Sequence, residues 1–163
     1  MSFVSPAEYL SLRLRAHELL QDVRLHDVSV VDLPNGGDGR SLADLRALHS
    51  TAPPSRIATI LFGVRRLLGR IFRWDRGPFV VVYQSPNEAL YEIVNKTVHG
   101  YVSTALIRTA AGYRLYVAVY VRPVSWLTRP YLMAIEPFRH ILYPALSRRI
   151  RRAWAAAYVT SPG

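Results

Sequence analysis

The stretch from residue 79 to residue 122 constrains the fold most, because it holds four extended, β-rich segments in direct succession. These segments cover residues 79–84, 89–96, 98–108 and 113–122, and they are rich in the valine and tyrosine side chains that favour strands. The links between them have the length of hairpin turns, which join neighbouring antiparallel strands. The sequence therefore predicts an antiparallel sheet.

The last two strands have faces of different character. One parity of the final strand is almost purely aliphatic, whereas the other mixes Tyr116 and Tyr120 with arginines. Their pairing depends on whether Gly112 closes a three- or a four-residue loop, since a slip of one residue exchanges the faces. The register stays open, and either register predicts one core side and one wetter side.

Capping signals place a helix before the first strand. Ser5 and Glu8 have the spacing of a capping box, and Pro6 occupies the first helical position, so a helix is expected from there to Leu20. Alternating apolar residues then predict a first strand over residues 27–33.

Three more helices are expected. Ser41 and Asp44 predict a short helix to about residue 49, and apolar residues at spacings of three and four predict a second over residues 55–73. The same spacing from about residue 128 onward predicts a C-terminal helix of about eight turns. Two prolines within it are expected to bend or divide it near Glu136: Pro137 and Pro144.

Length and composition favour one compact domain. The 163 residues fit a single domain over 1–163, with a helical extension over 1–24 and a core over 25–158. Cysteine is absent, which fits a reducing compartment. No apolar run approaches the roughly 20 residues that cross a bilayer. A cytoplasmic protein without a transmembrane segment is expected.

Positive charge is the strongest compositional bias. The net charge is +10, and Lys96 is the only lysine among the 21 basic residues. Such a field favours anionic partners, and weak contact with an anionic membrane is one expectation. The basic residues are not interleaved with aromatic residues as in modules that stack bases, so nucleic acid is not the expected partner.

No motif for a cofactor, a nucleophilic serine or a nucleotide is present. The glycine-rich loop over residues 35–39 lacks the spacing of phosphate-binding loops, and no G-x-S-x-G element occurs. Glu136 and His140 are four residues apart on a helix, but no third metal ligand accompanies them. The sequence predicts action without a cofactor and without a metal.

The order of elements resembles the helix-grip fold of the START/Bet v 1-like (SRPBCC) superfamily. Three phrases are similar to a bacterial branch of DUF2867-type proteins: LFGVRRLLG at 61–69, NKTVHG at 95–100 and IEPFRHILYPAL at 135–146. The resemblance implies an α+β fold whose curved antiparallel sheet of about 5–7 strands wraps around the C-terminal helix, with two helices after the first strand and an extra N-terminal helix. It also implies a cavity that accepts a bulky apolar molecule.

Four residues are the candidates for chemistry in such a cavity. His99 and Tyr101 lie on the same side of one strand, where they could orient a carbonyl group, and the alternative is a half-buried sheet face. Glu92 and Glu136 are candidate general acids or bases, against the simpler roles of arginine partner and helix cap. The expected substrate-binding residues are mostly aromatic: Trp74, Tyr91, Tyr116, Tyr120, Phe138 and His140.

The expected function is binding of an apolar, polyketide-like molecule and its cofactor-free cyclisation or isomerisation. Enclosing a flexible chain in a reactive conformation is itself a source of catalysis. A noncatalytic carrier or sensor of a hydrophobic ligand is the first alternative. An arginine-rich module that binds anionic membrane or nucleic acid is the second.

Overall fold

The computed structural model describes residues 2–34, 39–51, 79–94, 98–126 and 128–159. These residues form an α+β fold with one antiparallel sheet and helices on both of its faces. The helix predicted over residues 55–73 and the substrate-binding candidate Trp74 lie outside the described residues.

The sheet contains five long strands and one short edge strand. Its order is β1-β2-β6-β5-β4-β3, and each neighbouring pair is antiparallel. The strands predicted from the sequence are confirmed with bounds that shift by a few residues, while β1 was missed because two residues carry no periodic pattern. The strands are β1 Ser2–Phe3, β2 Arg24–Pro34, β3 Val80–Gln84, β4 Glu88–Val94, β5 Val98–Thr109 and β6 Gly112–Pro123.

Four helices accompany the sheet in the described part of the chain: α1 Pro6–Leu10, α2 Arg15–Leu19, α3 Leu42–Thr51 and α4 Thr128–Val159. The predicted cap of α3 is confirmed, because Asp44 Oδ2 accepts hydrogen bonds from Ser41 N and Oγ, both at 2.8 Å. Of the two effects expected from the prolines of α4, a bend or a division, the division does not occur, since the helix runs through Pro137 and Pro144 without a break.

The register between β5 and β6 is set by a two-residue turn. Thr109 pairs with Gly112, so Ala110 and Ala111 form the tip of the hairpin, and Gly112 has a φ of 139° that a glycine adopts readily. This turn is shorter than either loop considered from the sequence. It places Tyr101 directly opposite Tyr120.

One face of the sheet, here called the α4 face, packs against α3 and the C-terminal half of α4. Trp154 of α4 is fully buried there and donates a hydrogen bond from Nε1 to Pro34 O at 3.2 Å. Leu42 and Leu45 attach α3 to the same cluster. The sheet residues of this cluster are Val31, Leu33, Ala89, Leu106, Tyr113 and Leu115.

The opposite face, here called the N-terminal face, is covered by the segment that contains α1 and α2. Tyr9 and Ala16 have no exposed surface and pack onto sheet residues that are themselves buried. The expectation of a wetter side is therefore wrong over the part of this face that the N-terminal segment covers, because its apolar side chains replace water there. The sheet residues of this cluster are Val28, Val30, Leu90, Ala105, Tyr116, Ala118 and Tyr120.

The N-terminal segment forms two short helices instead of the single helix predicted to Leu20. Pro6 begins α1 as predicted, with Ser5 Oγ accepting from Ala7 N at 3.2 Å. The chain then breaks, and the buried carboxylate of Glu88 on β4 accepts hydrogen bonds from Arg15 N at 2.9 Å and Ala16 N at 2.7 Å. A carboxylate from a distant strand thus starts α2, which no local sequence signal indicates.

Replacing Glu88 by glutamine is expected to lower the free energy of unfolding by about 1–3 kcal/mol, because an amide group opposes one of the two N–H donors at the start of α2. Urea denaturation followed by circular dichroism measures the change. Glu18→Gln is the matched control, since this exposed partner of Arg15 should contribute less than about 0.5 kcal/mol. Equal effects of the two substitutions would contradict the role of Glu88.

Candidate functional site

Glu92, His99 and Tyr101 lie together on the N-terminal face at one end of β4 and β5. Glu92 pairs directly opposite Tyr101, and His99 precedes Tyr101 by two residues, so all three side chains project from the same side. The register of β4 against β5 and the alternation of side chains along each strand bring the three residues together. We call these three residues the acid–base group.

The acid–base group is centred on one carboxylate. His99 Nε2 lies 2.6 Å from Glu92 Oε1, and the Tyr101 hydroxyl is near enough to the same carboxylate to shift its pKa. The rings of His99 and Tyr101 are 4.9 Å apart. The side chains of His99 and Glu92 remain 20% and 27% exposed, so a small molecule can reach them.

Electrostatics keep Glu92 ionised and Tyr101 protonated. The hydrogen bond from His99 is the main cause that lowers the pKa of Glu92 below its ordinary value of 4.5, although partial burial acts in the opposite direction. Burial, followed by the bond to Glu92, raises the pKa of Tyr101. Tyr101 therefore remains a hydrogen-bond donor at neutral pH.

The hydrogen bonds of Glu92 predict a dependence of stability on acid. A carboxylate whose pKa is lowered by folding stabilises the fold above its unfolded value, and this contribution is lost as pH falls through the lowered pKa. The difference in unfolding free energy between wild type and Glu92→Gln should therefore be larger at pH 5 than at pH 3. Urea denaturation at both pH values measures it, and a constant difference would contradict the assignment.

The surroundings of the acid–base group are apolar on one side and charged on the other. Val80 pairs opposite Glu92, and both Val80 and Val94 are about half exposed, at 51% and 52%. Arg122 pairs opposite His99 and forms an ion pair with Asp22. A ligand at this place would contact valine side chains next to the group that could react with it.

Tyr116 and Tyr120, predicted to bind substrate, share the N-terminal face but lie beneath the N-terminal segment. They are 3% and 2% exposed, and both pack against Tyr9 at ring distances of 6.1 and 6.5 Å. The Tyr116 hydroxyl donates to Glu8 at 3.1 Å, and the Tyr9 hydroxyl donates to Ser103 Oγ at 3.0 Å. Burial raises the pKa of Tyr9, Tyr116 and Tyr120. In this structure the tyrosines contact protein groups.

The remaining predicted site residues do not join the acid–base group. Glu136 lies on α4 and pairs with His140 at 3.6 Å, both side chains being about half exposed. The buried part of α4 packs on the other face of the sheet, so the two predicted carboxylates are separated. In the described part of the chain, no three histidine or carboxylate side chains are placed to hold a metal ion. The side chain of Phe138 lies outside what the structure describes.

Tyr91, the other substrate-binding candidate, points to the α4 face. It lies beneath the guanidinium of Arg46, whose Cζ is 5.5 Å from the ring centroid, and beside Phe79 at 6.5 Å. Sequence reasoning missed Arg46, Tyr9 and Glu88, because each acts through a contact with a distant element. No periodic or motif signal marks such contacts.

A groove of about 570 Å³ lies near the tip of the β5–β6 hairpin. Tyr113 and Pro34 form part of its wall, with Arg114 and Arg151 at the rim. Arg114 is held by Asp32 at 3.0 Å and by Glu8 at 3.3 Å. None of the predicted site residues lines this groove.

Together these features define an α+β protein with an open antiparallel sheet, a long C-terminal helix and a compact carboxylate–histidine–tyrosine group. The chain belongs to the DUF2867 family, described as proteins of unknown function, whose model matches residues 19–146. Neither the comparison with curated proteins nor that with solved structures gave a match. None of the described helices is both long and apolar enough to cross a membrane.

The matched region contains the sheet but not all of the helical segments that cover its two faces. It includes the acid–base group and all five long strands, but it begins after α1 and ends before Ile150 and Trp154. Tyr9, which covers the tyrosines, therefore lies outside the matched region. The acid–base group is a feature of the matched region itself.

Proposed function

We propose that the protein binds an apolar carbonyl compound and promotes a cofactor-free isomerisation or cyclisation by general acid–base chemistry at Glu92, His99 and Tyr101. The observation that carries the proposal is the 2.6 Å contact between His99 and Glu92, with Tyr101 beside the same carboxylate and the group partly exposed to solvent. The lack of cysteine in the sequence favours a reducing compartment such as the cytoplasm for this activity.

The tautomer of His99 follows from its partner. An ionised carboxylate only accepts hydrogen bonds, so His99 Nε2 carries the proton that faces Glu92, and Nδ1 keeps its lone pair. Nδ1 is then the base that removes a proton from carbon next to the substrate carbonyl. Glu92 stabilises the resulting imidazolium, as a carboxylate does for a histidine base.

Tyr101 supplies the hydrogen bond to the substrate. Its raised pKa keeps the hydroxyl protonated, so it can turn from Glu92 to the carbonyl oxygen as negative charge develops there. The proton held by His99 returns to a different carbon in an isomerisation, or to the oxygen of the acceptor carbonyl in a cyclisation. Neither path changes the oxidation state, so no redox cofactor is needed.

The fold supports the proposal at the level of architecture. The first long strand β2 lies beside the last strand β6, and α4 packs on one face, which agrees with the arrangement that the helix-grip resemblance implies. We propose membership of the SRPBCC superfamily on this basis. The substrate position that we propose differs from the one expected from the sequence, because the acid–base group projects away from α4.

Deuterium exchange tests the proposed activity without knowledge of the natural substrate. The protein is incubated in D2O with nonan-2-one or non-3-en-2-one, and proton NMR follows loss of signal at the carbons next to the carbonyl. We expect exchange above the buffer rate with wild type. Exchange at the buffer rate with both ketones would reject acid–base chemistry on this class of compound.

A noncatalytic carrier is the second candidate, and the α4 face supports it. Ile93, Val102 and Val119 project from that face, are half-buried, and belong to neither of the two described core clusters. An apolar strip of this kind suits the wall of a ligand cavity. Binding of the neutral probe N-phenyl-1-naphthylamine without any deuterium exchange would favour the carrier.

Four of the described arginines have contacts within the fold, which argues against a general anion-binding surface. Arg114 binds Asp32 and Glu8, Arg122 binds Asp22, and Arg46 and Arg40 stack on aromatic rings. The binding of membrane or nucleic acid is therefore not the function that we propose.

A further inference from the structure

Arg46 occupies a fixed position at the edge of the α4 face. Leu42 and Leu45 bury the inner side of α3 in the core cluster, and Leu42 N donates to Pro86 O at 2.7 Å, which ties α3 to the turn before β4. The guanidinium of Arg46 is thereby held over the ring of Tyr91. Its position follows from packing of the helix.

One donor of this guanidinium has no acceptor among the described residues. Arg46 Nη2 is buried from solvent and makes no hydrogen bond. Arginine stays protonated at any accessible pH, so a buried donor without an acceptor costs folding free energy. Stacking on Tyr91 does not remove this cost, because a ring face accepts only weakly.

Arg40 provides the internal comparison. The Cζ atom of Arg40 lies 4.8 Å from the ring centroid of Trp154. Among the described side chains with a buried donor that lacks an acceptor, Arg40 does not occur. Stacking of an arginine on an aromatic ring therefore does not by itself leave a buried donor without an acceptor in this fold. Of these two stacked arginines, only Arg46 has a buried donor of this kind among the described side chains.

The neighbours of Tyr91 supply the rest of a binding site. On the α4 face Tyr91 pairs opposite Val102, lies two residues before Ile93 on the same strand, and touches the core cluster. An acceptor bound to Arg46 Nη2 would lie against the Tyr91 ring, and an apolar chain attached to it would continue over Val102. The site thus offers one charged donor at the end of an apolar strip.

We infer that Arg46 binds the carboxylate of an apolar ligand whose chain lies along Tyr91, Ile93 and Val102 on the α4 face. This inference rests on the second candidate function, the binding of a ligand on that face. A carboxylate matches the guanidinium in charge and geometry, and bonds between charged groups are about twice as strong as neutral ones. The net charge of +10 adds long-range attraction for the same class of ligand.

Displacement of a neutral probe tests the assignment. N-phenyl-1-naphthylamine fluorescence reports occupancy of an apolar site, and decanoate and decan-1-ol at pH 7.5 compete for it with equal chain length and different head groups. Wild type should prefer decanoate over decan-1-ol. In Arg46→Met the affinity for decanoate should fall at least about tenfold, with less than about a twofold change for decan-1-ol.

Two further variants separate the specific contact from general charge. Arg40→Met removes the same charge from the other stacked arginine and should keep the preference for decanoate. Arg46→Lys retains the charge without the planar fork and should keep part of it. Unchanged binding of the probe shows that each variant is folded.

The possible failures are distinct. If N-phenyl-1-naphthylamine does not bind wild type, ligand binding on the α4 face is wrong, and the role of Arg46 falls with it. If the probe binds but Arg46→Met leaves the preference for decanoate unchanged, or Arg40→Met lowers it equally, only the assignment of Arg46 is overturned.

Discussion

Replacing Trp154 by alanine is expected to lower the free energy of unfolding by about 3–5 kcal/mol. The side chain has no exposed surface, meets Tyr113 edge to face at 5.4 Å, and lies beneath Arg40. Its Nε1 also donates to Pro34 O, so the substitution leaves a large cavity and breaks the bond between α4 and β2. Urea denaturation followed by circular dichroism measures the loss.

Trp126→Ala is the matched control for this prediction. Trp126 is 81% exposed, so its removal should change the unfolding free energy by less than about 0.5 kcal/mol. The pair compares the same chemical change at a buried and at an exposed position. Similar losses for both variants would contradict the packing of α4 on the sheet.

Replacing His99 by alanine is expected to reduce the rate of deuterium exchange into nonan-2-one by about 10²–10⁴-fold, the usual contribution of a general base. The substitution removes the only imidazole of the acid–base group, while Glu92 and Tyr101 remain. Proton NMR measures the exchange rate. Binding of N-phenyl-1-naphthylamine should change less than about twofold, because the partly exposed ring of His99 is not part of either core cluster.

Two further variants, Glu136→Gln and Tyr101→Phe, serve as comparisons for His99→Ala. Glu136 lies on α4, away from the acid–base group, so its substitution should leave the exchange rate unchanged. Tyr101→Phe should slow exchange by a smaller factor than His99→Ala, since it removes a hydrogen bond to the carbonyl and leaves the base. A loss for Glu136→Gln equal to that for His99→Ala would restore the carboxylate on α4 to the catalytic role expected from the sequence.

The two faces of the sheet divide the candidate functions between them. The N-terminal face carries the acid–base group, and the α4 face carries Tyr91 with the half-buried apolar strip. The sequence led us to expect one cavity that held both sets. Because neighbouring residues of a strand project to opposite faces, Tyr91 and Glu92 cannot serve the same pocket. The experiments above test the two faces separately.

Several features of the fold could be predicted from local patterns. Period-two alternation and hairpin-length links placed all four strands from β3 to β6, and the exchange of hydrogen bonds between Ser41 and Asp44 began α3 as the capping rule requires. Period-two spacing also placed His99 and Tyr101 on one side of their strand. These signals are local, so they could be interpreted without knowledge of the contacts between distant residues.

Other features depended on contacts between distant residues. The break between α1 and α2 follows from Glu88, which lies more than seventy residues along the chain. The burial of Tyr116 and Tyr120 follows from Tyr9, and the side-chain contact between Glu92 and His99 follows from the register of β4 and β5. None of these partners is marked by its own neighbours in the sequence.

The sequence by itself determined the family, the antiparallel pairing of successive strands and the residues that share each side of a strand. The last two follow from hydrophobic periodicity and turn length, which depend only on residues close together in the sequence. Only the tertiary structure decided which side each helix covers. A period of two distinguishes two faces but does not name their partners, so the positions of the acid–base group opposite α4 and of Arg46 over Tyr91 were set by long-range packing.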